Sequence, residues 1–269
     1  MPIEIIGEAG VSHNGDVNLA LKLIDAAKFA GADVIKFQTY CPEEAINPKH
    51  KDFAFLKSLA LTHIDFVRLA KHCEKVGIEF LSTPGDLTSL KFLIEECGIK
   101  RIKIGSDDLT YEPLIKATGE SWLPIILSTG MATIPEISSA IEKFPHPDVT
   151  LLHCVSSYPC SIADANLSAI TTLRTEFTDQ IGYSDHCQGF LACVVAASLG
   201  AVMIEKHFEL GSCKGPDTAV SISQWSLAKM IARIREVELM LGTGEKVPCE
   251  AEMQLMPFVR KREDGKKMA

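Results

Sequence analysis

The chain has 269 residues, 46% hydrophobic and 23% charged, with a formal net charge of −8. That length allows two small domains or one large barrel, and either buries a sizeable core. The acidic balance argues against a nucleic-acid surface, there is no uncharged apolar run long enough to span a membrane, and the N-terminus MPIEIIGEAG lacks the features of a secretory signal.

The first expected strand, Ile3–Gly7, runs into GEAGVSHNGD, where Gly15-Asp16 turns the chain and Asp16 caps the helix Val17–Ala30. Next come strand Asp33–Phe37, helix Thr62–Val76, strand Glu79–Leu81, helix Leu87–Cys97, strand Arg101–Ile104 and helix Tyr111–Ala117. The pattern continues with strand Pro124–Leu127, helix Ile134–Lys143, strand Val149–His153 and helix Leu167–Glu176. It ends with strand Gln180–Tyr183, helix Phe190–Leu199, strand Val202–Glu205 and helix Gln224–Leu241. Gly31, Gly77, Gly98, Gly200 and Gly242 fall where helix C-caps belong. Eight strand–helix pairs filling residues 1–242 predict an α/β fold, a closed (β/α)8 TIM barrel. An open doubly wound sheet fits less well, because no G-x-G-x-x-G turn opens the first helix. Residues 243–269 read as a C-terminal extension without a separate domain, and the long Tyr40–Leu61 connection as a lid. Nine cysteines, none spaced C-x-x-C, fit free thiols in a reducing cytoplasmic setting.

In such a barrel, chemistry gathers at the C-terminal ends of the strands. Glu8, His13 and Asn14 follow the first strand. In DVIKFQTY, Val34, Lys36 and Gln38 share one face and Ile35 and Phe37 the other, so Lys36 points inward and needs an anion. Lys103 in RIKIGSDD repeats this, with Ser106 beyond it. Thr83 in LSTP and Ser128 in ILSTGM join the ring, and the set suits a phosphate and a carboxylate. HCVSSYP brings Ser156 and Tyr158 to the mouth, while His153 reads as a satisfied core histidine. The last two strands end in SDH and EKH, putting His186 and His207 on neighbouring strands, within reach of one ion. Glu8, Asp185, Glu205 and Asp217 are the carboxylates available to complete the shell or orient an imidazole. Two unrelated core histidines are the alternative that spacing leaves open.

The segments GVSHNGD, LIDAAKFAGADVIKFQTY, FLSTP, KIGS, PIILSTGM, LLHCVSSYP, GYSDH, IEKHF and GPD, in this order, resemble the sialic acid synthase (N-acetylneuraminate synthase) family across nearly all of residues 3–250. The resemblance implies condensation of phosphoenolpyruvate with the open aldehyde of an N-acylated amino sugar, giving a nonulosonic acid and phosphate. It implies a divalent metal, manganese before magnesium or cobalt, held by His186 and His207. It matches Lys36, Lys103, Thr83, Ser106, Ser128 and Ser184 to the phosphoenolpyruvate cradle. Tyr158 and Asp217 match residues that hold the acceptor, and Gln38 one near both metal and acceptor. Asn14 stands where some members carry a glutamate, and Ser156 where an asparagine near the phosphate is common; both join the substrate-binding set. Family members usually carry a C-terminal antifreeze-like domain, which this sequence is expected to lack. A homodimer is compatible with the resemblance. Two other readings are a related keto-sugar-acid synthase with a different aldehyde, and a non-catalytic sugar-binding barrel.

Overall fold

A computed structural model describes residues 2–146, 148–211 and 215–267. The chain forms two compact units, residues 1–238 and 239–269. In the larger unit, strands β1 (Glu4–Gly10), β2 (Val34–Thr39), β3 (Glu79–Pro84), β4 (Ile102–Ile104), β5 (Ile125–Ser128), β6 (Val149–His153), β7 (Ile181–Asp185) and β8 (Met203–Glu209) run parallel. Their ladder order is β3-β2-β1-β8-β7-β6-β5-β4, with β9 (Ile222–Ser223) paired on β8. The end strands β3 and β4 pack side by side, so the sheet curls into the expected TIM barrel. Arg101, just before β4, strengthens that seam: its guanidinium donates to Glu79 of β3 and to Glu4 of β1.

Helices α1 (Val17–Ala30), α4 (His63–Val76), α5 (Leu87–Glu95), α6 (Glu112–Glu120), α7 (Ile134–Ile141), α8 (Ala169–Glu176), α9 (Leu191–Ser198) and α10 (Gln224–Leu241) alternate with the strands. Local chemistry sets their ends. Asp16 accepts from the Asn18 amide at the start of α1, Thr62 and Asp65 form a capping box on α4, and Gly31 and Gly77 end these helices in the left-handed region. The Tyr40–Leu61 connection carries two short helices, α2 (Pro42–Ala45) and α3 (Phe53–Leu59). The Tyr40 hydroxyl pins them by donating to the Leu56 carbonyl at 2.7 Å.

Alternation along the strands builds two cores. Outward residues such as Ile5, Ile35, Phe37, Leu127 and Ile204 pack against the helices. Ile6, Val34, Leu81, Ile126, Leu152 and Met203 fill the barrel interior as an apolar plug. The polar site lies one inward layer above that plug. His153 is buried, with Nε2 2.9 Å from the Ala165 carbonyl, as a satisfied core histidine should be. The smaller unit holds the end of α10 and a helix α11 (Glu250–Val259) with Met253, Leu255 and Phe258 exposed.

Candidate active site

Period-two alternation and parallel register decide which side chains meet. On β8, Met203, Glu205 and His207 face the interior, while Ile204, Lys206 and Phe208 face the helices. Glu8 is registered with His207 on one side and Lys36 on the other, and Ser184 with Glu205. A register shift between Glu8 and Gly10 marks a bulge at the mouth. Gly10, at φ 50°, sits where a β-carbon would come within 3.2 Å of both Glu8 Oε1 and Asp217 Oδ2 and 3.4 Å of Gln38 Nε2. Only glycine combines that conformation with so close a convergence.

The result is a cavity of about 640 Å³ at the C-terminal end of the strands. Lys36, Gln38, Thr83, Lys103, Ser106, Ser128, Ser156, Tyr158, Ser184, His186, His207 and Asp217 all line it. Tyr40, Ala45, Ile46 and Leu56 of the long connection add an apolar wall. Asn14 stands apart from the other expected residues. It is exposed, at φ 50° in the turn with Gly15, and is not among the lining residues. That turn carries its Oδ1 toward Gly215 instead.

Two buried lysines dominate the floor, and they differ. Lys36 Nζ lies 2.9 Å from Glu8 Oε2 and 3.7 Å from Glu205 Oε2, and it donates to Thr83 Oγ1 at 3.2 Å. Lys103 Nζ donates to Ser128 Oγ at 2.6 Å and to the Ile104 carbonyl at 3.0 Å. Among the described residues no carboxylate comes within ion-pair distance of Lys103. Burial lowers the pKa of Lys103, whereas at Lys36 the same burial is outweighed by Glu205 and Glu8, and its pKa rises. Burial pushes Glu8 up to about 7 despite Lys36. Burial also opposes ionisation of Glu205, but Lys103, Lys36 and the Ser184 hydroxyl prevail and hold it at about 2. Ser184 Oγ donates to Glu205 Oε1 at 2.7 Å, so this hydroxyl and that of Ser128 are already engaged.

The imidazoles of His186 and His207 lie with ring centroids 5.5 Å apart, and the Tyr158 ring lies 4.1 Å from His186, tilted by 34°. Burial holds both histidines neutral, most strongly His207, which also feels His186. His186 Nδ1 is 2.8 Å from the Val155 carbonyl; donation there leaves Nε2 with a free lone pair. His207 Nδ1 is buried without a hydrogen-bond partner among the described residues, 3.6 Å from Asp217 Oδ2. Neutral, converging imidazoles with spare nitrogens suit a divalent cation. Among the described residues no cluster of three or more His, Cys, Asp or Glu side chains has metal-binding spacing, so water or substrate oxygens would complete the shell.

Glu8 and Glu205, expected as carboxylates for a metal shell or an imidazole, instead flank Lys36. Glu205 carried a usable signal, lying two residues before His207 and so on the same strand face. Glu8 gained significance only through its register with Lys36 and His207. Asp185, considered with them as a shell candidate, faces the opposite way. It is fully buried on the helix side of β7, paired with Lys206 at 2.9 Å.

The chain is thus a (β/α)8 barrel with two buried lysines and a histidine pair in one cavity at the C-terminal ends of its strands. The model of the NeuB family matches residues 23–246, and the chain belongs to that family. It is 39% identical to N,N'-diacetyllegionaminic acid synthase of Legionella pneumophila, over 96% of this chain and 78% of the relative. A Methanocaldococcus jannaschii protein of uncharacterised function is 43% identical over 97% of this chain and 78% of its own. The crystal structure of the N-acetylneuraminic acid synthetase of Leptospira borgpetersenii with citrate superposes with a TM-score of 0.90 at 38% identity, covering 95% of this chain and 90% of that one.

Proposed function

We infer that the chain is a synthase joining phosphoenolpyruvate to the open aldehyde of an N-acylated amino sugar, yielding a nonulosonic acid and phosphate. The observation that carries this reading is Lys103, a buried lysine at the cavity floor with no carboxylate within ion-pair distance among the described residues. Such a group is costly unless an anion arrives. Membership in a family that includes a legionaminic acid synthase supports the same reading.

Lys103, Lys36, Thr83 and Ser106 hold the carboxylate and phosphate of the enol, which fixes its C3 against the acceptor carbonyl. Tyr158, Gln38 and Asp217, toward the mouth, hold the sugar, and the apolar wall of the long connection suits its acyl methyl group. The enol pair at C3 forms the bond to the aldehyde carbon, the carbonyl pair moves onto the aldehyde oxygen, and a cation is left at C2. Water adds there, the bond from C2 to the phosphate oxygen breaks, and the two protons of the water pass to the new alkoxide and the departing phosphate as the C2 ketone forms. Glu205, ionised beneath both lysines, faces that cation with fixed negative charge. A divalent cation, manganese in the first instance, held by His186 and His207 would supply Lewis-acid polarisation of the aldehyde.

Phosphate release from phosphoenolpyruvate across a panel of aldehydes tests the reading. N-acetylmannosamine or a di-N-acetylated hexose is expected to support turnover, while arabinose 5-phosphate is not. Turnover with arabinose 5-phosphate alone would establish the related-synthase reading, and none with any aldehyde would favour a non-catalytic sugar-binding barrel.

A further inference from the structure

Behind the histidine pair, on the helix side of the barrel, lies a second polar cluster that never touches the cavity. Its centre is the ion pair between Asp185 and Lys206, both fully buried. Asp185 Oδ1 accepts from the Tyr183 hydroxyl and from the Cys187 amide, each at 2.9 Å. Asp185 Oδ2 accepts from Lys206 Nζ at 2.9 Å and from Cys193 Sγ at 3.3 Å. Lys206 Nζ also donates to the Cys187 carbonyl at 2.6 Å. A buried, charged group of this kind is often no better for stability than an apolar pair of equal volume, so stability alone does not account for it.

Its position supplies a better account. The β7–β8 ladder ends at the registered pair Asp185 and Lys206, and His186 lies one residue beyond, its carbonyl accepting from the Cys160 amide at 2.9 Å on one side while the Asp185–Lys206 pair holds the β8 side. The Asp185 carboxylate, bonded to the amide two residues on, closes a turn around the His186 backbone. Lys206 grips the carbonyl on the far side of that turn, and it immediately precedes His207. The ion pair therefore ties the backbone on both sides of His186 to the residue next to His207.

We propose that Asp185 and Lys206, with Tyr183 as support, are positioning residues that set the spacing of the two imidazoles and so the affinity of the site for a divalent cation. The proposal rests on the reading of His186 and His207 as ligands. Partners bonded directly to a metal-binding imidazole change affinity by about 10–100-fold when lost, and Asp185, which acts on the backbone rather than on a ring, is expected at the low end of that range. Asp185→Asn keeps the shape and removes the charge; Tyr183→Phe deletes one oxygen and leaves the ring packing. Calorimetric titration with manganese alone is expected to show affinity about 10-fold weaker in Asp185→Asn. A smaller loss is expected in Tyr183→Phe, with the KM for phosphoenolpyruvate unchanged in both. Wild-type manganese affinity in both variants would overturn the positioning role while leaving the ligand reading intact. Failure of the wild type itself to bind manganese would overturn the ligand reading and this proposal together. If Asp185→Asn does not fold, Tyr183→Phe decides between the outcomes.

Discussion

Lys103→Met is expected to lower kcat/KM for phosphoenolpyruvate by roughly 10²–10³-fold while leaving the fold as stable as the wild type or more so. The two effects have opposite signs for one reason. Among the described residues Lys103 has the Ser128 hydroxyl and the Ile104 carbonyl as acceptors, and the charge of Glu205 offsets only part of the cost of desolvating it. Methionine removes that cost and fills a similar volume, but it leaves an incoming anion without its partner. Lys36→Met is expected to differ. It strips Glu8 and Glu205 of their shared cation and destabilises the fold by about 3–5 kcal/mol. Steady-state kinetics and thermal melts on the two variants check this contrast. Wild-type kinetics in Lys103→Met would remove the proposed anion site.

His207→Ala is expected to lose turnover by roughly 10³-fold or more and to lose the thermal stabilisation that manganese is expected to give the wild type. Burial keeps His207 neutral, and its Nδ1 has no hydrogen-bond partner among the described residues, so the imidazole is available as a ligand. His186→Ala is expected to behave likewise, since a two-histidine site has no protein ligand to spare among the described residues. Melting curves with and without the metal, read beside phosphate release, separate loss of binding from loss of fold. A variant that keeps both the metal response and its turnover would exclude His207 as a ligand.

Much of this site was legible in short stretches of sequence. SDH and EKH each place the first and third residue on one strand face and the second on the other, which brought Ser184, His186 and His207 inward. The same rule assigned Lys36 and Val34 to the interior and Ile35 and Phe37 to the helices. What alternation could not give was which inward residues stand beside each other, because that depends on register between strands distant in sequence. Glu8 met Lys36 and His207 only through the ladders of β1 with β2 and β8. Alternation within SDH already turns Asp185 away from Ser184 and His186, and its pairing with Lys206 on the outer side removes it from the shell candidates. Asn14 followed a strand directly, but a left-handed turn, invisible to a periodicity argument, took it away from the cavity. The long Tyr40–Leu61 connection was recognisable by length, while its two short helices and apolar wall follow from tertiary packing against the mouth.

Diffraction from crystals grown with manganese and phosphoenolpyruvate, collected at the manganese absorption edge, tests the central claim most directly. The account predicts an anomalous peak bridging the His186 and His207 rings and an anionic group of phosphoenolpyruvate in contact with Lys103 Nζ. A peak elsewhere, or a ligand that leaves Lys103 untouched, would contradict it.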